Sequence, residues 1–190
     1  MNLNRLLTSV AACLLLLAPI SASSLESRSI YRSKSLWETH AGEKTTLVRL
    51  RGAPVVATMV YTSCQMSCPL MMNDLKAIEK ALPAAVRSQV RFAVFALDSA
   101  NDVPAKLRDF AEKHGVDLTR WTFFHGSPAS VREVAALLGV RFKELEGGGF
   151  DHSNVITILD SEGVIVHQKL GLRQNPDDTL KTLERLAARR

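Results

Sequence analysis

Cysteine is scarce in this sequence, and so is any long run of one character. Three cysteines occur in 190 residues, too few for a chain whose folding depends on a disulfide framework. No apolar stretch reaches the roughly 18 to 20 residues that span a bilayer comfortably; the run LLTSVAACLLLLAPI at 6–20 has 15. Basic residues form no block and are not interleaved with aromatics, which make up 6% of the chain, so the usual footprint of nucleic-acid binding is missing. Nor does anything divide the chain, because 46% apolar and 23% charged residues over this length support one core.

What the chain does have begins with a segment of different character. Residues 1–23 carry one charge, Arg5, then the apolar run, then the small residues Ser21, Ala22 and Ser23. That order reads as a secretory signal peptide and predicts cleavage near Ala22 or Ser23. The protein is then expected to be exported and periplasmic, meeting a membrane only through partners or through a signal segment that stays uncleaved. Val10-Ala11-Ala12-Cys13 resembles a lipoprotein processing box, but most of the apolar segment follows Cys13, the wrong side for that processing. Loss of the segment removes Arg5 alone, so the formal net charge falls from +5 to +4. It also removes Cys13, leaving the exported domain with Cys64 and Cys68.

These two cysteines stand four residues apart in YTSCQMSCPLMM. A bridge across so short a loop constrains the unfolded chain little, so a structural staple is the weak reading. Thioredoxin-type redox sites use C-x-x-C, with a thiolate stabilised at a helix N-terminus. One extra residue still permits a disulfide, with sulfurs about 2.05 Å apart. It also lets two thiolates separate enough to share a metal at about 2.3 Å from each. The spacing alone leaves both uses open.

Around the pair the patterning predicts an α/β domain. Residues 24–43 are polar and Ser-rich and read as a linker or irregular N-terminal arm, with the folded domain over 44–190. KTTLVRLRG alternates like a half-buried strand, and APVVATMVYTS is nearly all apolar, like a strand buried on both faces. A helix follows from Pro69, then strand QVRFAVFALD, helix VPAKLRDFAEKHG and strand RWTFFHG. Next come a helix over SPASVREVAALLG, capped by Ser127 or Ser130, and a glycine-rich loop over VRFKELEGGGFDH. Two strands joined at Asp160-Ser161-Glu162-Gly163 and a terminal helix over NPDDTLKTLERLAARR complete the chain. Cysteines placed where a buried strand meets a helix make the thioredoxin-like fold, a mixed sheet flanked by helices, the best match.

In oxidoreductases of that fold, the loop before the hairpin normally carries a cis-proline. Here the loop ELEGGGFDHS has no proline and offers His152 instead. Together TSCQMSCPLM, the strand FALD with its acidic sequel, and FDHSNVITILDSEGVI resemble the Sco/SenC family of copper-binding cytochrome oxidase assembly factors over roughly residues 44–188. The resemblance implies one copper ion held by Cys64, Cys68 and His152, and an oxidase subunit as the copper acceptor. Two soft thiolates suit Cu(I), and an added imidazole lets the site accept Cu(II) while keeping a position open for transfer. The same cysteines form a disulfide when oxidised, so loading requires the dithiol state and implies a thiol reductase as a second partner. The rival reading is an enzyme, a periplasmic thiol:disulfide oxidoreductase with Cys64 as nucleophile beside Cys68.

The chain departs from the family pattern at Gln65-Met66-Ser67, where many members have a proline and an acid, and at SANDVP after Asp98. Asp98 matches the family's strand-end aspartate, a position that equally suits a turn former. Met66, Met71 and Met72 crowd the cysteines; thioethers are soft copper ligands, but methionines at a helix start more often fill core, which leaves Met66 as the one candidate ligand among them. His40, His114, His125 and His167 have no partner spacing and read as surface or strand histidines.

Overall fold

The computed structural model describes residues 28–189. The signal-peptide reading of residues 1–23 therefore lies outside the described residues. The core is a seven-stranded mixed sheet in the order β2-β1-β5-β4-β3-β8-β9. Its strands are β1 (Trp37–Thr39), β2 (Lys44–Thr45), β3 (Val55–Val60), β4 (Arg91–Ala96), β5 (Trp121–Gly126), β8 (Val155–Leu159) and β9 (Ile165–Leu170). A separate hairpin pairs β6 (Phe142–Glu144) with β7 (Phe150–His152). The helices are α1 (Ser67–Ala81), α2 (Ala84–Arg87), α3 (Pro104–Lys113), α4 (Pro128–Leu137) and α5 (Asp177–Ala187). This α/β sandwich is thioredoxin-like, as the order of elements predicts.

β3 runs parallel to β4 on one side and antiparallel to β8 on the other. Because side chains alternate along a strand, an interior strand covered on both faces must be apolar throughout. All six residues of β3 are buried. Val56 and Val60 face a core shared with Met71, Met72 and Leu75 of α1 and Leu183 of α5, whereas Val55, Ala57 and Met59 face one shared with Val131 and Val134 of α4. Two hydrophobic layers thus fix the height and direction in which β3 ends, and the cysteine loop starts there. Among the described residues no helix is long and apolar enough to cross a membrane.

Three local expectations are corrected. KTTLVRLRG is not one strand: only Lys44–Thr45 pairs, and Leu47–Leu50 forms a 3-10 turn. Leu47 and Leu50, three apart, are both buried while Val48 is exposed, so the period is three rather than two. Of the segment expected to be a linker or an irregular N-terminal arm, residues 28–43 pack against the domain, so the fold begins before residue 44. Ile30–Arg32 is a 3-10 turn with Ile30 and Tyr31 in the core, and Trp37 in β1 pairs opposite Gly126 of β5. A Cβ at Gly126 would lie 2.7 Å from the Trp37 ring, so only glycine permits that indole to pack. The glycine-rich stretch, in turn, is the tip of the β6–β7 hairpin, with Leu145 and Gly149 closing the turn.

Other expectations hold as stated. The Ser127 hydroxyl caps α4 by accepting the Ser130 N–H. At Asp160–Gly163 the Asp160 carboxylate accepts the N–H groups of Glu162 and Val164.

Candidate functional site

Cys64 and Cys68 sit at the carboxyl end of β3, where α/β sheets place their ligands. The loop is shaped from both sides. Cys64 N–H donates to the Tyr61 carbonyl at 3.2 Å, closing a tight turn. Thr62 donates its N–H and hydroxyl to the Asp102 carboxylate. Asp102 is buried, which raises its carboxyl above the usual range, against the pull of the Thr62 donors. Asp98, by contrast, accepts the N–H groups of Ala100 and Asn101 and is the turn former of its loop. We expect Asp102→Ala to lower unfolding stability by about 2 kcal/mol, because it strands the Thr62 donors. A urea titration checks this, and an unchanged midpoint would mean the pin is dispensable.

Past the turn, α1 begins with Met66 at its N-cap, and the Met66 side chain makes no capping bond. The Cys64 sulfur takes that part instead. It accepts the Cys68 N–H at 3.4 Å and lies 3.4 Å from the Ser67 hydroxyl. Free amides at a helix N-terminus and a hydroxyl all favour a thiolate. Burial works against ionisation of Cys64, yet the bonds from Ser67, Cys68 and Met66 outweigh it and bring the thiol down to about 6. Cys68 is fully buried, and burial together with the nearby Cys64 charge pushes its thiol far above the ordinary value. Both thiols are free. One is poised as a thiolate and the other is held as a thiol.

His152 arrives from the hairpin. It pairs with Phe142 in the β6–β7 ladder, which fixes its position along the strand. Tyr61 braces the hairpin from below, its ring edge-on to Phe150 at 5.4 Å and to His152 at 5.9 Å. Gly149 allows that approach: its φ is +78°, and a Cβ there would sit 3.4 Å from the Tyr61 hydroxyl. His152 Nδ1 lies 3.3 Å from the Ser153 carbonyl, which can only accept, so Nδ1 carries the proton. Nε2 then keeps its lone pair and faces the Cys68 sulfur at 3.9 Å. Burial holds the imidazole below its ordinary pKa, with Ser153 and Asp151 pulling the other way. At neutral pH the ring is a neutral donor.

The three expected residues are thus drawn together in linked pairs, Cys64 with Cys68 and Cys68 with His152. Among the described residues, no three His, Cys, Asp or Glu side chains already form a closed metal cluster. A shallow cleft of about 340 Å³ lies against His152, lined by Arg141, Phe142, Lys143, Asp151 and Ser153 and by neither cysteine. Sequence reasoning missed Tyr61, Ser67 and Asp102. Ser67 was within its reach, since a hydroxyl one residue before the second cysteine falls in the first turn of the helix that Pro69 announces.

Comparison with known proteins identifies the family and the fold. The family model for SCO1/SenC matches residues 31–188. The chain is 25% identical over 147 residues to the SCO1 protein homolog of Bacillus subtilis, covering 76% of each. Bradyrhizobium japonicum ScoI, solved with copper bound, superposes with a TM-score of 0.68 at 20% identity, covering 80% of this chain and 96% of that one. BsSco, described with a disulfide switch as a member of the Sco family of cytochrome c oxidase assembly proteins, gives 0.71 at 24% identity over 82% of this chain and 92% of its own. At such identities the structural likeness is one of fold, while the family match spans nearly all the described residues. This chain belongs to the SCO1/SenC family.

Proposed function

We propose that this protein is an exported copper-binding factor that takes one copper ion on Cys64, Cys68 and His152 and delivers it during assembly of a respiratory oxidase. The observation that carries the reading is the lone pair of His152 Nε2 held 3.9 Å from the Cys68 sulfur. Metal bonds of about 2.0 Å to imidazole nitrogen and about 2.3 Å to thiolate span about 3.7 Å at a trigonal angle. The donor set also fits: two thiolates satisfy Cu(I), and the neutral imidazole extends the site to Cu(II). Cys64 offers its thiolate without further deprotonation. Cys68 must lose its proton as the ion enters, and the metal charge is what overcomes its burial. A disulfide between the two would consume both ligands, so the factor needs a partner that returns two electrons and two protons to the pair.

The unequal thiols favour a second reading, a thiol:disulfide oxidoreductase acting on the acceptor's cysteines. The Cys64 thiolate would attack a substrate disulfide, forming a mixed disulfide and releasing one substrate thiolate. Cys68, once deprotonated, would displace the other, leaving the substrate reduced and Cys64–Cys68 oxidised.

The first reading is tested by titrating the reduced protein with Cu(I) and with Cu(II). One equivalent of each should bind, and the disulfide form should bind neither tightly. Failure of the reduced protein to bind stoichiometric copper overturns the proposal.

A further inference from the structure

Met66 serves none of the purposes that usually place a methionine. Met59, Met71 and Met72 are buried in the core, whereas Met66 is 82% exposed, more than any other large apolar side chain among the described residues. It fills no gap, and it does not cap α1 although it stands at the N-cap. It also lies between the two cysteines, next to Ser67. The three sulfur-bearing residues therefore form a series of falling exposure, from 82% at Met66 through 9% at Cys64 to 0% at Cys68.

We infer that Met66 is an outer Cu(I) station, through which the ion passes between solvent or partner and the Cys64–Cys68 pair. This rests on the copper reading above and adds a fourth, transient ligand to it. A thioether is soft, neutral and proton-free, and it prefers Cu(I) to Cu(II). With three rotatable bonds it can swing between the cysteine loop and an incoming ligand. Exchange proceeds with the metal's charge unchanged: the Met66 S–Cu bond forms as the bond to a cysteine sulfur breaks, and the released thiolate keeps its electron pair or takes a proton from solvent. Unlike the thiolates, the station is not lost when Cys64 and Cys68 form a disulfide.

Met66→Leu removes the sulfur and keeps the bulk at an exposed position, where packing is not at stake. In the Cu(I)-loaded, reduced protein this variant should release the ion to a chromogenic Cu(I) chelator about tenfold more slowly than wild type, on the scale of metal-site perturbations. Leu36→Ser, at another exposed apolar position, should not slow it. A second arm needs no thiolates. In the disulfide form, with Ag(I) as a redox-inert substitute, the Met66 methyl carbon should shift on titration while those of Met59, Met71 and Met72 stay still. Equal release rates together with an unmoved Met66 methyl overturn the inference. If wild type binds no Cu(I), the copper reading fails, and the Ag(I) arm alone decides for or against the station.

Discussion

Iodoacetamide should modify the reduced, metal-free protein at Cys64 and stop there. A thiol lowered to about 6 is mostly thiolate at neutral pH. Cys68 is fully buried and holds its proton well past that range. The ratio of initial rates should exceed about a thousandfold, from thiolate fraction and access combined. Mass mapping after quenching reads the site, and the rate for Cys64 should rise through a midpoint near pH 6. Ser67→Ala should move that midpoint up by about one to two pH units, the equivalent of one hydrogen bond to a charged group. Equal labelling of both cysteines, or a midpoint at the ordinary thiol value, would show that the helix end does not hold the Cys64 charge.

The same depression has a consequence for stability, with a definite sign. The folded state favours ionised Cys64, so the contribution is full above the unfolded thiol's value, about 8.5. It is lost as pH falls through about 6. Cys68 acts oppositely: its raised value costs stability where the unfolded thiol would ionise, above about 8.5. Through these two groups the reduced protein gains stability from pH 6 towards 8.5 and loses it again beyond.

His152→Ala should weaken Cu(II) retention by about a hundredfold or more while weakening Cu(I) by less than about tenfold. Cu(I) is satisfied by two thiolates, whereas Cu(II) draws much of its stability from nitrogen. The hairpin should survive the change, since Phe142 and Phe150 keep their own contacts, including Phe150 against Tyr61. Competition titrations with a chelator for each oxidation state give the two ratios, and the variant's turnover with a small disulfide substrate gives a third number. If turnover collapses as far as Cu(II) affinity does, His152 serves the thiol chemistry, and the oxidoreductase reading gains. If Cu(II) retention is untouched, the imidazole is no ligand.

Much of the cysteine loop was legible because its signals are local. A short apolar run rich in β-branched residues and ending at a turn reads as an interior strand, a proline after Cys68 suits a first helical turn, and His152 stood out in a loop without proline. What escaped depends on contacts between distant segments. Trp37 reads as a stray aromatic in a polar stretch until Gly126, 89 positions on, provides space for its ring. Asp98 and Asp102 look alike in sequence, and only the fold turns one into its own loop and the other onto Thr62. The β6–β7 hairpin hid behind its glycines, since Gly148 and Gly149, read as loop, are the positive-φ residues its tip requires.

The N-terminal arm is fastened at the end of the sheet opposite the cysteine loop. Ser29 and Ile30 bond to Glu162 and Gly163, in the turn beyond Leu159. Leu159 pairs with Val55, the first residue of β3, while Cys64 follows its last. Six strand residues rise about 20 Å, so polypeptide enters the domain at one pole and the cysteine loop lies at the other. Were the preceding segment held at a membrane, the cargo would be presented outward, towards whatever approaches from the aqueous side.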